Sequence, residues 1–171
     1  DAQGVVGICD LDTRALTRHL RTRGTMRGAI STTDLDSDSL IARVQASPGL
    51  IGRDLVCEVT CDGPYTWSDG EWGWPMGYAR DIATSGERFR VVAYDFGIKR
   101  NILRKLVNTE CNVTVVPANT PASEALQLHP DGIFLSNGPG DPEAVPYAIE
   151  AIQQLIGVKP IFGICLGHQI L

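Results

Sequence analysis

Four apolar runs fill the second half of the sequence, and they constrain the fold more than any other feature. The runs are residues 90–95, 113–116, 132–136 and 160–164. Since they are largely apolar throughout instead of alternating with polar residues, they are typical of strands that are buried on both faces of a sheet.

The stretches between these runs predict how the strands are connected. Apolar residues recur at helical spacing over 98–107, a second helical stretch covers 143–156, and a polar connection covers 120–128. Strand, crossover and strand repeated in this way predict an α/β fold, a parallel sheet with helices on both faces.

The first half of the sequence predicts a different pattern of secondary structure. Asp12 or Thr13 is a suitable N-cap for a helix that runs to Arg23 and is ended by Gly24. A second helix is predicted over 38–46 and a strand over 54–60. These elements predict part of a smaller mixed α/β domain.

Residues 84–87 have the composition of a linker, so we place a domain boundary near residues 82–88. The predicted domains are 1–84 and 89–171. The chain starts without an initiator methionine or a signal pattern, and its last residues lie within a predicted helix. We therefore expect a sequence that is truncated at both ends.

Composition excludes several classes of function. The formal net charge of −5 argues against a general nucleic-acid binder, because such binders neutralise phosphates with clustered Lys and Arg. No run approaches the ~20 apolar residues that span a bilayer, so no membrane partner is expected. Five scattered cysteines without a C-x-x-C pair fit a reducing, cytoplasmic setting and predict no metal site.

The segment 160–169 carries the strongest chemical signal. An apolar strand runs into Gly163-Ile164-Cys165-Leu166-Gly167 and then into a helix, which is a nucleophile elbow with Cys in place of Ser. Flanking glycines allow the tight turn, and the helix N-terminus favours a thiolate and offers the Leu166 N–H to an oxyanion. The bland alternative is a buried structural cysteine at a strand end.

A second segment, 135–142, follows the third predicted strand. Loops at the carboxyl ends of parallel strands share one edge, so this turn should lie near Cys165. Its Gly138-Pro139-Gly140 sequence exposes backbone N–H groups, with that of Gly138 placed to donate to an oxyanion opposite Leu166. Taken alone, these residues are more typical of an ordinary strand-to-helix turn.

Together the two segments resemble the class I, triad-type glutamine amidotransferases over residues 91–171. Residues 92–104 and 7–18 narrow the resemblance to the small subunits of carbamoyl-phosphate synthetases. The resemblance implies a flavodoxin-like fold. It also implies that 89–171 is the N-terminal half of the amidotransferase domain, and that 1–84 is the C-terminal part of that subunit's N-terminal domain.

The same resemblance implies an enzyme that hydrolyses glutamine. Cys165 would attack the carboxamide, the N–H groups of Gly138 and Leu166 would hold the oxyanion, and a thioester would then be hydrolysed. The positions that match the family's glutamine-binding residues are Gly138, Gly140, Leu166 and Gln169.

The family's partner is a large subunit that forms a heterodimer with the small one. It makes carbamoyl phosphate for arginine or pyrimidine biosynthesis from the ammonia, bicarbonate and ATP. ATP and Mg²⁺ are therefore expected on the large subunit, with no metal or nucleotide on this chain. The protein is expected in the cytoplasm.

The family's general base is a histidine oriented by a glutamate two residues later, and both are expected beyond Leu171. His168 lies on the elbow helix and is better explained by packing or hydrogen bonding, while His19 and His129 are predicted to be solvated. The glutamine-binding serine is expected upstream of Asp1. The sequence by itself should therefore form the thioester poorly.

Two other functions stay open, a catalytically dead glutamine-binding scaffold and a different cysteine hydrolase on the same architecture. The remaining cysteines, aromatic residues and arginines have structural explanations as well as functional ones. Cys57 and Cys61 are assigned to the core. An aromatic stretch with three tryptophans is expected to pack on the domain, with base stacking as the alternative. An arginine cluster could contact nucleic acid, the large subunit or only water: Arg14, Arg18, Arg21, Arg23, Arg27.

Overall fold

The computed structural model describes residues 4–79 and 88–171. The chain divides into two compact units, Asp1–Gly49 and Leu50–Leu171. Because the predicted boundary at 82–88 falls almost wholly outside the described residues, it stays a prediction.

The described part of the first unit contains two helices and no strand. Helix α1, Thr13–Arg23, begins after Asp12, whose carboxylate accepts a backbone N–H at 2.9 Å, and ends at Gly24 with φ 85°. Helix α2, Ser37–Ala46, is capped in the same way by Asp36. Both predicted helices are confirmed, because side-chain caps and a C-terminal glycine are local signals. Neither helix buries a residue.

The described strands of the second unit are β1 Tyr65–Trp67, β2 Trp72–Gly73, β3 Gly77–Tyr78, β4 Phe89–Asp95, β5 Cys111–Pro117, β6 Gly132–Leu135 and β7 Ile161–Gly163. Five of them form one sheet with the order β1-β5-β4-β6-β7, and β2 pairs with β3 in a separate two-stranded sheet. Strands β4, β5, β6 and β7 pair in parallel. The four predicted strands and the predicted α/β fold are therefore confirmed.

Helices cover both faces of this sheet. They are α3 Arg100–Asn108, α4 Ala122–Gln127, α5 Pro146–Leu155 and α6 Leu166–Ile170. Ala93 and Phe134 pack with Leu103 of α3 on one face. The neighbouring strand residues Tyr94 and Leu135 face the opposite cluster, which includes buried residues of α4, α5 and α6. The apolar runs in the sequence arise because both sets of alternate side chains are buried.

Residues 50–79, which the predicted boundary assigns to the first domain, lie in the same unit as the sheet. Strand β1 forms the antiparallel edge of the sheet, with Tyr65 opposite Val115. Trp67 packs against the cluster on the α3 face as predicted. The prediction is wrong for Trp72 and Trp74, which are 54% and 83% exposed.

Two local predictions are wrong. Residues 54–60 contain a 3₁₀ turn, Val56–Glu58, in place of a strand, because the Asp54 carboxylate accepts the N–H groups of Val56 and Cys57. The connection over 120–128 contains helix α4, whose buried alanines pack on the sheet. In the first place the turn closed by Asp54 competes with the strand pattern, and in the second place packing on the sheet favours a helix.

Candidate active site

Cys165 lies at a sharp turn between strand β7 and helix α6. Its backbone has φ 54° and ψ −113°, a conformation that non-glycine residues rarely adopt. The residue is exposed, while Leu166, next along the chain, is 1% exposed with its side chain in the core. The turn thus holds the thiol at the surface on a rigid base, and the structure disagrees with a buried structural cysteine.

The glycines on either side of Cys165 are required by close packing. A Cβ atom on Gly163 would lie 2.6 Å from the Gly167 carbonyl group. One on Gly167 would lie 2.4 Å from the carbonyl oxygen of Leu135. Because these neighbours are backbone atoms, any side chain at either position would open the turn. The G-x-C-x-G pattern therefore reflects a strand, a turn and a helix that touch through their backbones.

The turn after β6 lies directly beside this elbow. A Cβ atom on Gly138 would be 2.8 Å from Cδ2 of Leu166 and 2.3 Å from the carbonyl oxygen of Phe96. The Gly167 N–H donates to the Ser136 carbonyl at 3.0 Å, which joins the two segments. The predicted convergence of the two loops at the carboxyl edge of the sheet is confirmed.

Two backbone N–H groups are available at this junction. Among residues 4–79 and 88–171, neither the N–H of Gly138 nor that of Leu166 donates to a protein acceptor. Backbone N–H groups that are fixed in place without a partner are what an oxyanion requires, because they need no reorganisation when the charge develops. Both predicted oxyanion donors thus have the hydrogen-bonding capacity for this role, although their role itself stays a prediction.

Polar side chains that the sequence prediction missed hold the Gly138 turn in place. Ser136, which is fully buried, accepts the Phe96 N–H at 2.9 Å and donates to the Asn137 carbonyl at 2.8 Å. The Asn137 side chain donates to the Gly97 carbonyl at 2.9 Å and accepts the Lys99 N–H at 3.1 Å. These bonds tie the turn after β6 to the turn after β4.

Asp95 fixes the second of these turns. One oxygen of its buried carboxylate accepts the N–H groups of Gly97 and Ile98 at 2.9 and 2.8 Å. The other accepts the Cys61 N–H at 3.1 Å. Burial and the nearby Asp95 charge raise the pKa of the Cys61 thiol. An Asp followed two residues later by Gly at a strand end is the sequence signal that could have suggested this turn.

Ser136→Ala should lower the free energy of unfolding by about 1–3 kcal/mol, because it leaves the buried Phe96 N–H without an acceptor. Chemical denaturation of the two proteins measures this change. Ser123→Ala, at an exposed position of α4, is the control and should change stability by less than about 0.5 kcal/mol. Equal effects at both positions would show that the Ser136 bonds do not secure the turn.

The remaining predicted residues are distributed around and away from the elbow. Gly140, with φ 94°, continues the turn after β6, and Gln169 is exposed on α6 with its N–H bonded to the Cys165 carbonyl. His168 is exposed on the same helix, and His19 and His129 are exposed elsewhere, as predicted for the latter two.

Cys57 was predicted in the core but is exposed, because the turn that replaces the predicted strand directs it outward. Cys61 is half-buried. Within the part of the chain that the structure describes, no group of His, Cys, Asp or Glu is arranged to hold a metal ion. No helix in the described ranges is long and apolar enough to cross a membrane.

The fold and this site define a class of α/β proteins that present a cysteine on a strand-to-helix elbow beside a glycine-rich turn. Comparison with known families narrows the class. Residues 92–171 match the family described as glutamine amidotransferase class-I, and residues 1–30 match the carbamoyl-phosphate synthase small chain, CPSase domain.

Curated relatives agree over nearly the whole sequence. The carbamoyl phosphate synthase small chain of Syntrophotalea carbinolica is 58% identical over 98% of this chain and 44% of its own length. The chloroplastic small chain of Oryza sativa subsp. japonica is 51% identical over 99% of this chain and 37% of its own. The small chain of Halomonas eurihalina is 53% identical over 99% of this chain and 46% of its own length.

The chain belongs to the carbamoyl phosphate synthase small chain family, with the class-I glutamine amidotransferase fold in its second half. It spans less than half the length of these three relatives.

Proposed function

We propose that the full-length protein is the glutaminase subunit of a carbamoyl phosphate synthase. The observation that carries the proposal is the exposed Cys165 thiol, which lies on a strained elbow next to the N–H groups of Leu166 and Gly138, for which the described residues supply no acceptor. Family membership supports glutamine as the substrate, because the elbow and the turn lie within the class-I amidotransferase match.

The proposed reaction begins when the Cys165 thiolate attacks the carboxamide carbon of glutamine. The carbonyl oxygen becomes an oxyanion that accepts hydrogen bonds from the N–H groups of Gly138 and Leu166. The C–N bond then breaks, the nitrogen takes up a proton and leaves as ammonia, and a γ-glutamyl thioester remains. Water hydrolyses this thioester to glutamate and regenerates the thiol. Loss of one oxyanion donor typically raises such a barrier by ~3 kcal/mol.

The proton carrier in this scheme is a histidine outside the present sequence, as the family resemblance implies. Gly140 and Gln169, together with Gly138 and Leu166, are proposed to contact the glutamine. All four lie on the turn after β6 or on the elbow helix. His168 is not assigned a step.

Ammonia is proposed to pass to a large subunit, which binds ATP and Mg²⁺ and forms carbamoyl phosphate. No metal or nucleotide is assigned to this chain. The five cysteines are all free thiols, which supports a reducing compartment such as the cytoplasm. Plant relatives from rice and Arabidopsis thaliana are named as chloroplastic. Arginine or pyrimidine biosynthesis would consume the product.

The direct test is hydrolysis of glutamine labelled with ¹⁵N in its amide group. The full-length protein, alone and with its large subunit, should release labelled ammonia and glutamate in equal amounts, as NMR would show. Glutamine that stays intact under both conditions, with Cys165 reduced, would contradict the proposed function.

A further inference from the structure

Residues 52–61, here called the strap, run along the edge of the sheet where its parallel strands end. The strap forms hydrogen bonds to the end of β4, to the residue after β5 and to the turn after β6. The bonds are Cys61 N–H to Asp95 at 3.1 Å, Ala118 N–H to the Thr60 hydroxyl at 2.9 Å, and Gly52 N–H to Asp141 at 2.9 Å.

Asp54 anchors the middle of the strap to helix α5. One of its carboxylate oxygens accepts the N–H groups of Val56 and Cys57, which folds the 3₁₀ turn. The other accepts the Tyr147 hydroxyl at 3.0 Å. Burial, followed by this bond to a carboxylate, raises the pKa of Tyr147. Val56 is 1% exposed within the core cluster, so the strap is held by packing as well as by polar bonds.

Backbone and side-chain atoms of the strap lie close to the glycines of the active-site turns. A Cβ atom on Gly140 would lie 3.3 Å from the Arg53 carbonyl oxygen and 3.5 Å from Cβ of Leu55. One on Gly97 would lie 3.0 Å from the side chain of Val59. A shift of the strap would therefore change the packing of both turns, the one after β4 and the one after β6.

Asp141 is the link between the strap and the turn that carries Gly138. Its Oδ2 accepts the Gly52 N–H at 2.9 Å and its Oδ1 accepts the Glu143 N–H at 3.0 Å. These two backbone bonds lower the pKa of the Asp141 carboxyl, so both oxygens act as acceptors at neutral pH. A single side chain thus fixes the end of the turn to the strap and to the 3₁₀ turn that follows.

We propose that the strap is a positioning element for the oxyanion turn, and that Asp141 is the positioning residue through which it acts. Asp141 does not touch the substrate in this proposal. It holds the 138–141 turn so that the Gly138 N–H points at the oxyanion, a geometry that tolerates little displacement. The inference rests on the proposed glutaminase function.

Asp141→Asn in the full-length protein should lower kcat for glutamine hydrolysis about 10- to 100-fold, less than full loss of an oxyanion donor. The amide nitrogen cannot accept an N–H, so one of the two bonds is lost. The loss in kcat should exceed any rise in KM for glutamine. The oxyanion bond is realised mainly in the transition state, whereas the contacts of the same turn with bound glutamine affect both states. An inhibitor with an aldehyde in place of the carboxamide, which forms a tetrahedral adduct, should bind more weakly by a similar factor.

Two measurements separate this effect from general damage. Alkylation of Cys165 by iodoacetamide involves no oxyanion and should keep its rate. Asp131→Asn is the matched control, because Asp131 also accepts a backbone N–H, that of Arg90 at 2.7 Å. Asp131 directly precedes β6 and so lies at the end of the strands opposite to the active-site turns. It should leave kcat unchanged. Tyr147→Phe removes only the hydroxyl bonded to Asp54, and it should lower kcat less than Asp141→Asn does.

The outcomes are distinct. A wild-type protein that does not hydrolyse glutamine would overturn the proposed function and this inference with it. Active wild-type protein together with an unchanged kcat in Asp141→Asn would overturn the inference alone, as would an equal loss in Asp131→Asn. Should Asp141→Asn fail to fold, Tyr147→Phe decides, and a wild-type kcat in that variant counts against the strap.

Discussion

Cys165→Ser is expected to reduce glutamine hydrolysis by about 10⁴-fold or more, as removal of a catalytic nucleophile does in other hydrolases. The serine hydroxyl fits the elbow but is far less ionised than a thiol at neutral pH, so it attacks the carboxamide poorly. Ammonia release from glutamine in a coupled glutamate assay measures the loss. Carbamoyl phosphate synthesis by the complex with free ammonia should be retained, because that step belongs to the large subunit in the proposed scheme.

The matched control is Cys111→Ser, which changes a half-buried thiol at the start of β5, away from the elbow. It should keep glutamine-dependent activity within about a few-fold. If Cys165→Ser also abolished synthesis from free ammonia, Cys165 would support the assembly of the complex and its assignment as nucleophile would be wrong. If Cys165→Ser kept glutamine hydrolysis, another residue would have to be the nucleophile.

The parallel sheet could be predicted from the sequence because its signal is repeated and strong. Strands β4, β5 and β6 are buried on both faces, so Tyr94, Val115 and Phe134 stand in runs where nearly every residue is apolar. Capped helices such as α1 are also predictable, since Asp12 and Gly24 act within one turn of the chain.

The strap and the edge strand β1 could not be predicted in the same way. Residues 54–60 have the β-branched composition of a strand, yet Asp54 binds two following N–H groups and Tyr147, which lies 93 residues further on. Strand β1 is only three residues long and exists through its pairing with β5. Such elements are defined by contacts between distant parts of the chain, which a local pattern does not contain.

The candidate site shows the same difference between local signals and contacts of distant residues. The elbow could be located because Gly163 and Gly167 stand at a fixed spacing on either side of Cys165, and the close backbone contact that requires Gly163 is with Gly167 itself. The polar support could not, since Ser136 acts on Phe96 from 40 residues away. Among the supports, only Asp95 carried a local signal, because it binds the N–H groups of Gly97 and Ile98 directly after it.

Gly138→Ala is expected to lower kcat for glutamine hydrolysis by about 10²–10³-fold, the effect of losing one oxyanion donor. The new methyl group would lie 2.3 Å from the Phe96 carbonyl oxygen and 2.8 Å from Cδ2 of Leu166. Both contacts are too short, and the nearest is to backbone, so the turn must move and its N–H moves with it. Overpacking of this kind should also reduce stability by about 1–3 kcal/mol.

Gly132→Ala is the matched control for this substitution, because Gly132 begins the same strand, β6, at its other end. A Cβ atom there would lie 3.6 Å from the Pro160 carbonyl oxygen, an ordinary van der Waals distance. Kinetics and chemical denaturation should therefore be close to wild type. If Gly138→Ala loses stability, as a displaced turn requires, but keeps wild-type kcat and a normal affinity for the aldehyde inhibitor, the oxyanion does not depend on the position of this turn. The Gly138 N–H would then have to be removed from the proposed oxyanion site, leaving Leu166 as its one assigned donor.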